Sequence, residues 1–208
     1  MAGEEKYTYA YMFVSRNKDN RDIQGFKERR KAFLSTKKAD DLMPAFERFV
    51  ADGKDGEYCR FYRSVNPRDL EKAKKKLIVS LVEADNADTL LRIEARTVSI
   101  AMTVECAADR RWLFDFDNSN EDDLSEFIDD VIQDGGFEQV SCYTTPHGFG
   151  VVVPHGFDTR HLMAKWDECC DLKRDAMEFI AHGSHQKDTA AAIVTRFSFV
   201  RKKKEEEK

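Results

Sequence analysis

Residues 7–14 are rich in aromatic and β-branched types and predict a strand. Residues 21–34 and 38–52 then read as helices; in the second, Leu42, Phe46, Phe49 and Val50 form an apolar stripe that Gly53 ends. Pro44 falls early in that stripe, where a helix tolerates it best. Residues 57–65 alternate enough for a strand. Asn66-Pro67 predicts a helix start, with Asn66 as the cap and Pro67 at the first helical position. Leu70, Ala73, Leu77, Ile78 and Leu81 give that helix a buried side. A further helix over about residues 87–105 is so apolar, with Leu90, Leu91, Ile93, Val98 and Met102, that the pattern places it in the core.

The second half has a sharper order. A strand over 111–117 leads to the cap residues Asn118-Ser119-Asn120. A helix follows over 121–133 with Leu124, Phe127, Ile128, Val131 and Ile132 on one side, closed by Gly135-Gly136. Strands over 137–144 and 149–153 flank the turn Thr145-Pro146-His147-Gly148. A helix over about 158–170 comes next, then a short strand at 176–180 within an ambiguous stretch, and a final strand over 191–200. That order is βαββαβ, a ferredoxin-like unit with its helices on one face of a four-stranded sheet. The class is therefore α+β. The expected division is an N-terminal α/β extension over 1–108 packed on a domain over 109–200, with a charged tail over 201–208.

Chemistry enters at Trp112-Leu113-Phe114-Asp115-Phe116-Asp117. Side chains alternate along a strand, so Trp112, Phe114 and Phe116 share one face and Asp115 and Asp117 the other. Their Cα atoms would lie about 6.5 Å apart, within reach of one divalent cation. Mg²⁺ is held by one or two carboxylates plus substrate phosphates, and two metals stabilise both oxygens of a phosphoryl transfer. Asp-x-Asp also occurs as plain surface polarity where a strand runs into a capped helix.

Bulk properties narrow the choice of partners. Of 208 residues, 35% are charged and 41% hydrophobic, with 15 Phe, which allows a substantial core under a charged surface. The net charge of −5 does not mark a general nucleic-acid binder, so any such site would be a local basic patch. No apolar run approaches the roughly 20 residues of a membrane helix. Met1-Ala2-Gly3-Glu4-Glu5-Lys6 has no signal-peptide character, so an intracellular, cytoplasmic protein is expected. Cys59, Cys106, Cys142, Cys169 and Cys170 are odd in number and lack CxxC spacing, which predicts free thiols.

The apolar strand Leu113-Phe114-Asp115-Phe116-Asp117 resembles the first motif of the archaeo-eukaryotic primase-like palm, over roughly residues 110–200. Thr144-Thr145-Pro146-His147-Gly148-Phe149-Gly150-Val151-Val152-Val153 resembles the second region. It is also similar to tailed-phage proteins in which a Thr-Pro-Asn-Gly-aromatic-His turn enters a strand. The chain departs there: Gly150 takes the place of the family His, and His147 stands where an Asn would be. Lys187-Asp188 resembles the third region and makes Asp188 the third carboxylate. Phe61-Tyr62-Arg63-Ser64-Val65-Asn66-Pro67-Arg68-Asp69 is similar to the same phage proteins.

The resemblance implies Mg²⁺ or Mn²⁺, in a one- or two-metal site on Asp115 and Asp117, with His147 and Asp188 joining the catalytic set. It implies nucleotidyl or phosphoryl transfer on nucleotides or nucleic acid. Two alternatives stand beside it: a catalytically degenerate palm that binds nucleic acid, nucleotide or a protein partner as a phage accessory or anti-defence factor, and a metal-dependent nuclease. Gly148 and His147 lie in a turn whose backbone N–H groups and imidazole suit phosphate. Arg60, Arg63 and Arg68 surround the expected Asn66-Pro67 helix start, an anion-binding place. Tyr58, Phe61 and Tyr62 nearby are candidates for base stacking or for core. Lys72, Lys74, Lys75 and Lys76 read as a solvated helix face. His182-Gly183-Ser184-His185 has zinc-compatible spacing but no second ligand pair.

Overall fold

The computed structural model describes residues 6–84, 88–186, 189–193 and 199–202. The chain forms two compact units: Met1–Asp109 with Phe179–Val194, and Arg110–Glu178 with Thr195–Lys208. The fold is mixed α+β, built on two antiparallel sheets. Among the described residues, no helix is long and apolar enough to cross a membrane.

The first unit begins with β1 (Tyr7–Ser15), β2 (Arg29–Ser35), α1 (Met43–Ala51), β3 (Tyr58–Ser64) and β4 (Arg68–Asp69). α2 (Leu70–Val82), α3 (Asp88–Leu91) and α4 (Ile93–Ala101) follow. Tyr11 and Phe13 of β1 and Phe61 of β3 point to one side of the sheet and pack against Phe46 and Val50 of α1. Phe46 is fully buried, a contribution of about 1.5–3 kcal/mol for a side chain of this size.

Three sequence expectations change here. Residues 29–35 are a strand, not the end of a helix over 21–34. Arg29, Arg30 and Lys31 favour helices in isolation, but β2 is the outer neighbour of β1, and cationic side chains suit a sheet edge. The helix start lies three residues beyond Asn66-Pro67: Asp69 is the cap, its carboxylate accepting from the Lys72 N–H at 3.0 Å. Arg68–Asp69 pairs with Tyr7 and Thr8 instead, which draws Asn66 and Arg68 inside. The apolar helix expected in the core lies on the surface, with Leu91 86% exposed. α2 and α4 close around the small side chains Ala73, Ala101 and Cys106, and leave Ile78, Val79, Val82 and Ile93 exposed and Leu77, Leu81 and Val98 half-buried.

The second unit runs β5 (Trp112–Phe116), α5 (Glu121–Gly135), β6 (Gln139–Thr145), β7 (Gly148–Val153), α6 (Arg160–Trp166) and β8 (Cys170–Lys173). β9 (Met177–Gln186) and β10 (Thr189–Ile193) then join the first sheet, whose order is β10-β9-β3-β1-β2 with β4 on β1. β11 (Phe199–Lys202) joins the second sheet, whose order is β11-β6-β7-β5-β8. α5 is capped by Asn120, which accepts from the Asp122 N–H at 2.9 Å, and ends on Gly136 at φ +65°. Its apolar side, Leu124, Phe127, Ile128, Val131 and Ile132, meets Phe114, Phe116, Val151 and Val153 from the sheet and Trp166 from α6.

The closing strand of this βαββαβ run is Cys170–Lys173, not 191–200. α6 stops at Trp166, and the Asp117 N–H donates to the Cys169 carbonyl at 2.8 Å, which draws the following residues into the sheet. Of the expected last strand, 191–193 lie in β10 and 199–200 in β11, while 194–198 lie outside the described residues. All five cysteines are free thiols. Burial pushes Cys59 up to about 11 and Cys170 up to about 12, so neither thiol is an active nucleophile near neutral pH.

Candidate functional site

β5 alternates as its sequence requires. Phe114 and Phe116 are fully buried against α5, so Asp115 points to the opposite face. Asp117 is exposed just past the strand end. Leu113 shares the aspartate side of the strand and is nevertheless buried.

Strand register decides what surrounds Asp115. It pairs with Gly150 on β7 and Asp171 on β8, and Gly150 pairs in turn with Tyr143 on β6. Tyr143, Gly150, Asp115 and Asp171 thus form one row across four strands, on the face away from α5 and α6. A Cβ at Gly150 would lie 2.2 Å from Tyr143 Cζ and 2.5 Å from its Oη, so the phenol lies over the glycine. The space a side chain at position 150 would take is already filled.

Lys173, two residues along β8 from Asp171, seats its ammonium on the Asp115 carboxylate and lies 3.7 Å from Asp171. Burial pulls the Lys173 ammonium down, but the hydrogen bond and charge of Asp115, with Asp171 and Asp117 behind it, outweigh this and raise its pKa above the ordinary value. Lys173 thus faces Asp115 and Asp171 at ion-pair distance, with the Asp117 charge acting on it from farther off.

The turn residues fall at the Asp117 end of β5. His147 is exposed at the β6–β7 hairpin tip, and Gly148 is buried behind it. A Cβ at Gly148 would lie 2.1 Å from the Phe116 carbonyl oxygen and 2.9 Å from the Asn118 nitrogen. Glycine is needed there for close backbone approach to the segment carrying Asp117. That segment is further held by Asn118, whose Nδ2 donates to Asp123 at 2.7 Å and whose Oδ1 accepts from the Asn120 N–H at 2.8 Å.

Asp188 lies outside the described residues. Among the described residues, no three His, Cys, Asp or Glu side chains are placed to share one metal ion. The oxygen donors Asp115, Asp117 and Asp171 are nevertheless of the hard type that Mg²⁺ or Mn²⁺ takes, and one or two such carboxylates with substrate phosphates make a usual Mg²⁺ site. In this respect the residues fit the ion.

The three arginines belong to the first unit and do not make one exposed patch there. Arg60 is buried, donates to Asp19 at 2.8 Å and lies 5.5 Å from the Tyr58 ring centre. Asp19 is shared with Arg16 at 2.8 Å; burial raises its pKa, but the two guanidiniums outweigh that and hold it below its ordinary value. Arg63 lies over the Tyr9 ring at 4.9 Å, and Arg68 is fully buried in β4. Of the candidate aromatics, Phe61 is core, while Tyr58 stacks on His182 at 5.3 Å. Lys72, Lys74 and Lys75 are exposed, and Lys76 pairs with Glu105 at 2.9 Å, in keeping with a solvated face.

Tyr143, Asp171 and Lys173 were not singled out in the sequence. Asp171 and Lys173 alternate about Leu172 in a strand of four residues, too short a pattern to stand out in the ambiguous stretch after residue 170. No protein-family model, curated protein or solved structure matches the chain.

Proposed function

We propose that the second unit is a ferredoxin-like, primase-type palm that carries out metal-dependent phosphoryl or nucleotidyl transfer on nucleotides or nucleic acid, in the host-cell cytoplasm. One observation carries this reading. Asp115 sits on the strand that begins a βαββαβ run, in an antiparallel sheet ordered second-third-first-fourth, on the face away from both helices, with Asp117 at the strand end. That sheet order supports the ferredoxin-like part of the reading, and the motif's place within it supports the palm.

In this reading Asp115 and Asp117 would hold Mg²⁺ or Mn²⁺, and Asp171 is the carboxylate that register sets across from Asp115. The bound ion supplies charge neutralisation of phosphate and alignment of the attacking and leaving oxygens. The chain's own contribution is position. The buried phenylalanines lock β5, Asn118 and Gly148 fix the backbone at Asp117, and the hairpin tip presents His147 at the same end. Primer-synthesis and nuclease assays with Mn²⁺ test the reaction class: incorporation supports transfer, cleavage alone moves the reading to a nuclease, and neither product in wild type overturns it.

The second reading, a degenerate palm acting as a phage accessory factor that binds nucleic acid, nucleotide or protein, is favoured by two contacts. Tyr143 fills the place of the family histidine, and the Lys173 ammonium already neutralises Asp115. Metal-independent binding of single-stranded nucleic acid, unchanged by Asp115→Ala, would select it.

A further inference from the structure

We propose that Lys173 is an internal counter-ion that a divalent cation must displace from Asp115. The inference rests on reading Asp115 as a metal ligand, and it concerns how that ligand is regulated. The Lys173 ammonium sits on Oδ2 of Asp115 and repels a divalent ion brought to that same oxygen, so the ion gains that oxygen by moving the lysine off it. In the structure the lysine holds that position and bridges towards Asp171.

The surroundings make the exchange feasible. Asp115 and Asp171 hold one ammonium between them, with the Asp117 charge nearby, so a divalent ion that replaces the single lysine charge matches the negative charge better. β8 is the last strand of its sheet, and the Lys173 side chain is 37% exposed, so it can swing into water without opening the core. Lys173 shares no part of the α5–α6 packing. A lysine placed this way keeps the carboxylates from repelling one another in the metal-free protein and sets a threshold of metal concentration for loading. Once displaced, its ammonium remains beside the site, where a polyphosphate bound with the metal would meet it.

The test is direct Mn²⁺ binding by isothermal titration, using the full chain as wild type, Lys173→Gln, Lys173→Arg and Lys173→Gln with Asp115→Asn. Lys173→Gln should bind Mn²⁺ about tenfold or more tightly than wild type, the scale of one partly exposed charge at ion-pair distance. Lys173→Arg, which keeps the charge, should stay near wild type, and the double variant should lose the gain. Equal or weaker binding by Lys173→Gln overturns the proposal. If wild type binds in an Asp115-dependent way and Lys173→Gln is no tighter, only the counter-ion role fails. If neither binds, the metal reading fails with it. A second readout needs no substitution: Mg²⁺ should shift the Lys173 ε-methylene resonances of the wild-type protein, and unmoved resonances at saturating Mg²⁺ overturn the displacement.

Discussion

The ring of Tyr143 occupies the volume that a side chain at position 150 would need, 2.2 Å from where the Cβ of residue 150 would stand. Glycine at 150 and tyrosine at 143 are therefore one packing decision on paired strands. Gly150→His should collide with the ring and destabilise the protein by about 1–3 kcal/mol, the usual cost of overpacking. Adding Tyr143→Ala should recover part of that loss. Urea midpoints of the four proteins of this cycle measure the coupling, and purely additive effects would refute it.

Gly148 answers to a different constraint, backbone against backbone. Gly148→Ala drives a methyl group into the Phe116 carbonyl, which cannot rotate away as a side chain can. The expected outcome is a loss of about 2 kcal/mol or more, with the β6–β7 hairpin tip pushed off the Asp117 segment. Thermal unfolding measures the first effect. Amide exchange at Phe149 and Asn118 measures the second and should rise in the variant.

In the first unit, Glu57 is buried and its carboxylate accepts from Arg29 Nε and Nη2 at 2.8 and 2.5 Å and from the Lys54 N–H at 2.8 Å. Burial raises its pKa, but the Lys54 and Arg29 hydrogen bonds outweigh this and hold it below 4.5. A carboxylate depressed on folding contributes stability that is present above pH 4.5 and lost as pH falls through the folded value. Glu57→Gln leaves Arg29 without its charged partner and should cost about 3 kcal/mol at pH 7. It should also flatten the fall in the urea midpoint below pH 4.5, and a variant as acid-sensitive as wild type would show that other groups set the acid limb.

How much of this was legible in sequence depended on whether local pattern and tertiary demand agreed. α5 was readable because its apolar spacing, the Asn120 cap and Gly136 all point to the same helix. β5 was readable because aromatic and acidic residues alternate across two faces. β2 was not, because Arg29, Arg30 and Lys31 read as helix formers, and only pairing with β1 makes them a strand. The third-region resemblance puts a carboxylate at Asp188, which lies outside the described residues. Register sets Asp171 across from Asp115, and pairing across strands is not written in either strand alone. Lys173 was invisible for the same reason: its importance comes from its neighbour on β5.

Substituting the acidic pair separates chemistry from stability. Asp115 and Asp117 lie outside the aromatic core, so Asp115→Asn should leave the thermal midpoint within a few degrees of wild type, as expected for a change of roughly 1 kcal/mol in a partly exposed ion pair. Any Mn²⁺-dependent transfer should fall by about a hundredfold or more, the scale of losing a charge-stabilising group. A large loss of stability in Asp115→Asn would make the pair with Lys173 a folding element first.

In the proposed function, Asp115 and Asp117 hold a divalent ion for nucleotide chemistry. Isothermal titration of a nucleoside triphosphate into the full chain, with Mn²⁺ and with chelator, on wild type and on Asp115→Ala/Asp117→Ala, tests it most directly. Wild type should bind the nucleotide only with Mn²⁺, and that binding should disappear in the double variant. Nucleotide binding that is indifferent to metal, or undiminished in the double variant, would contradict it.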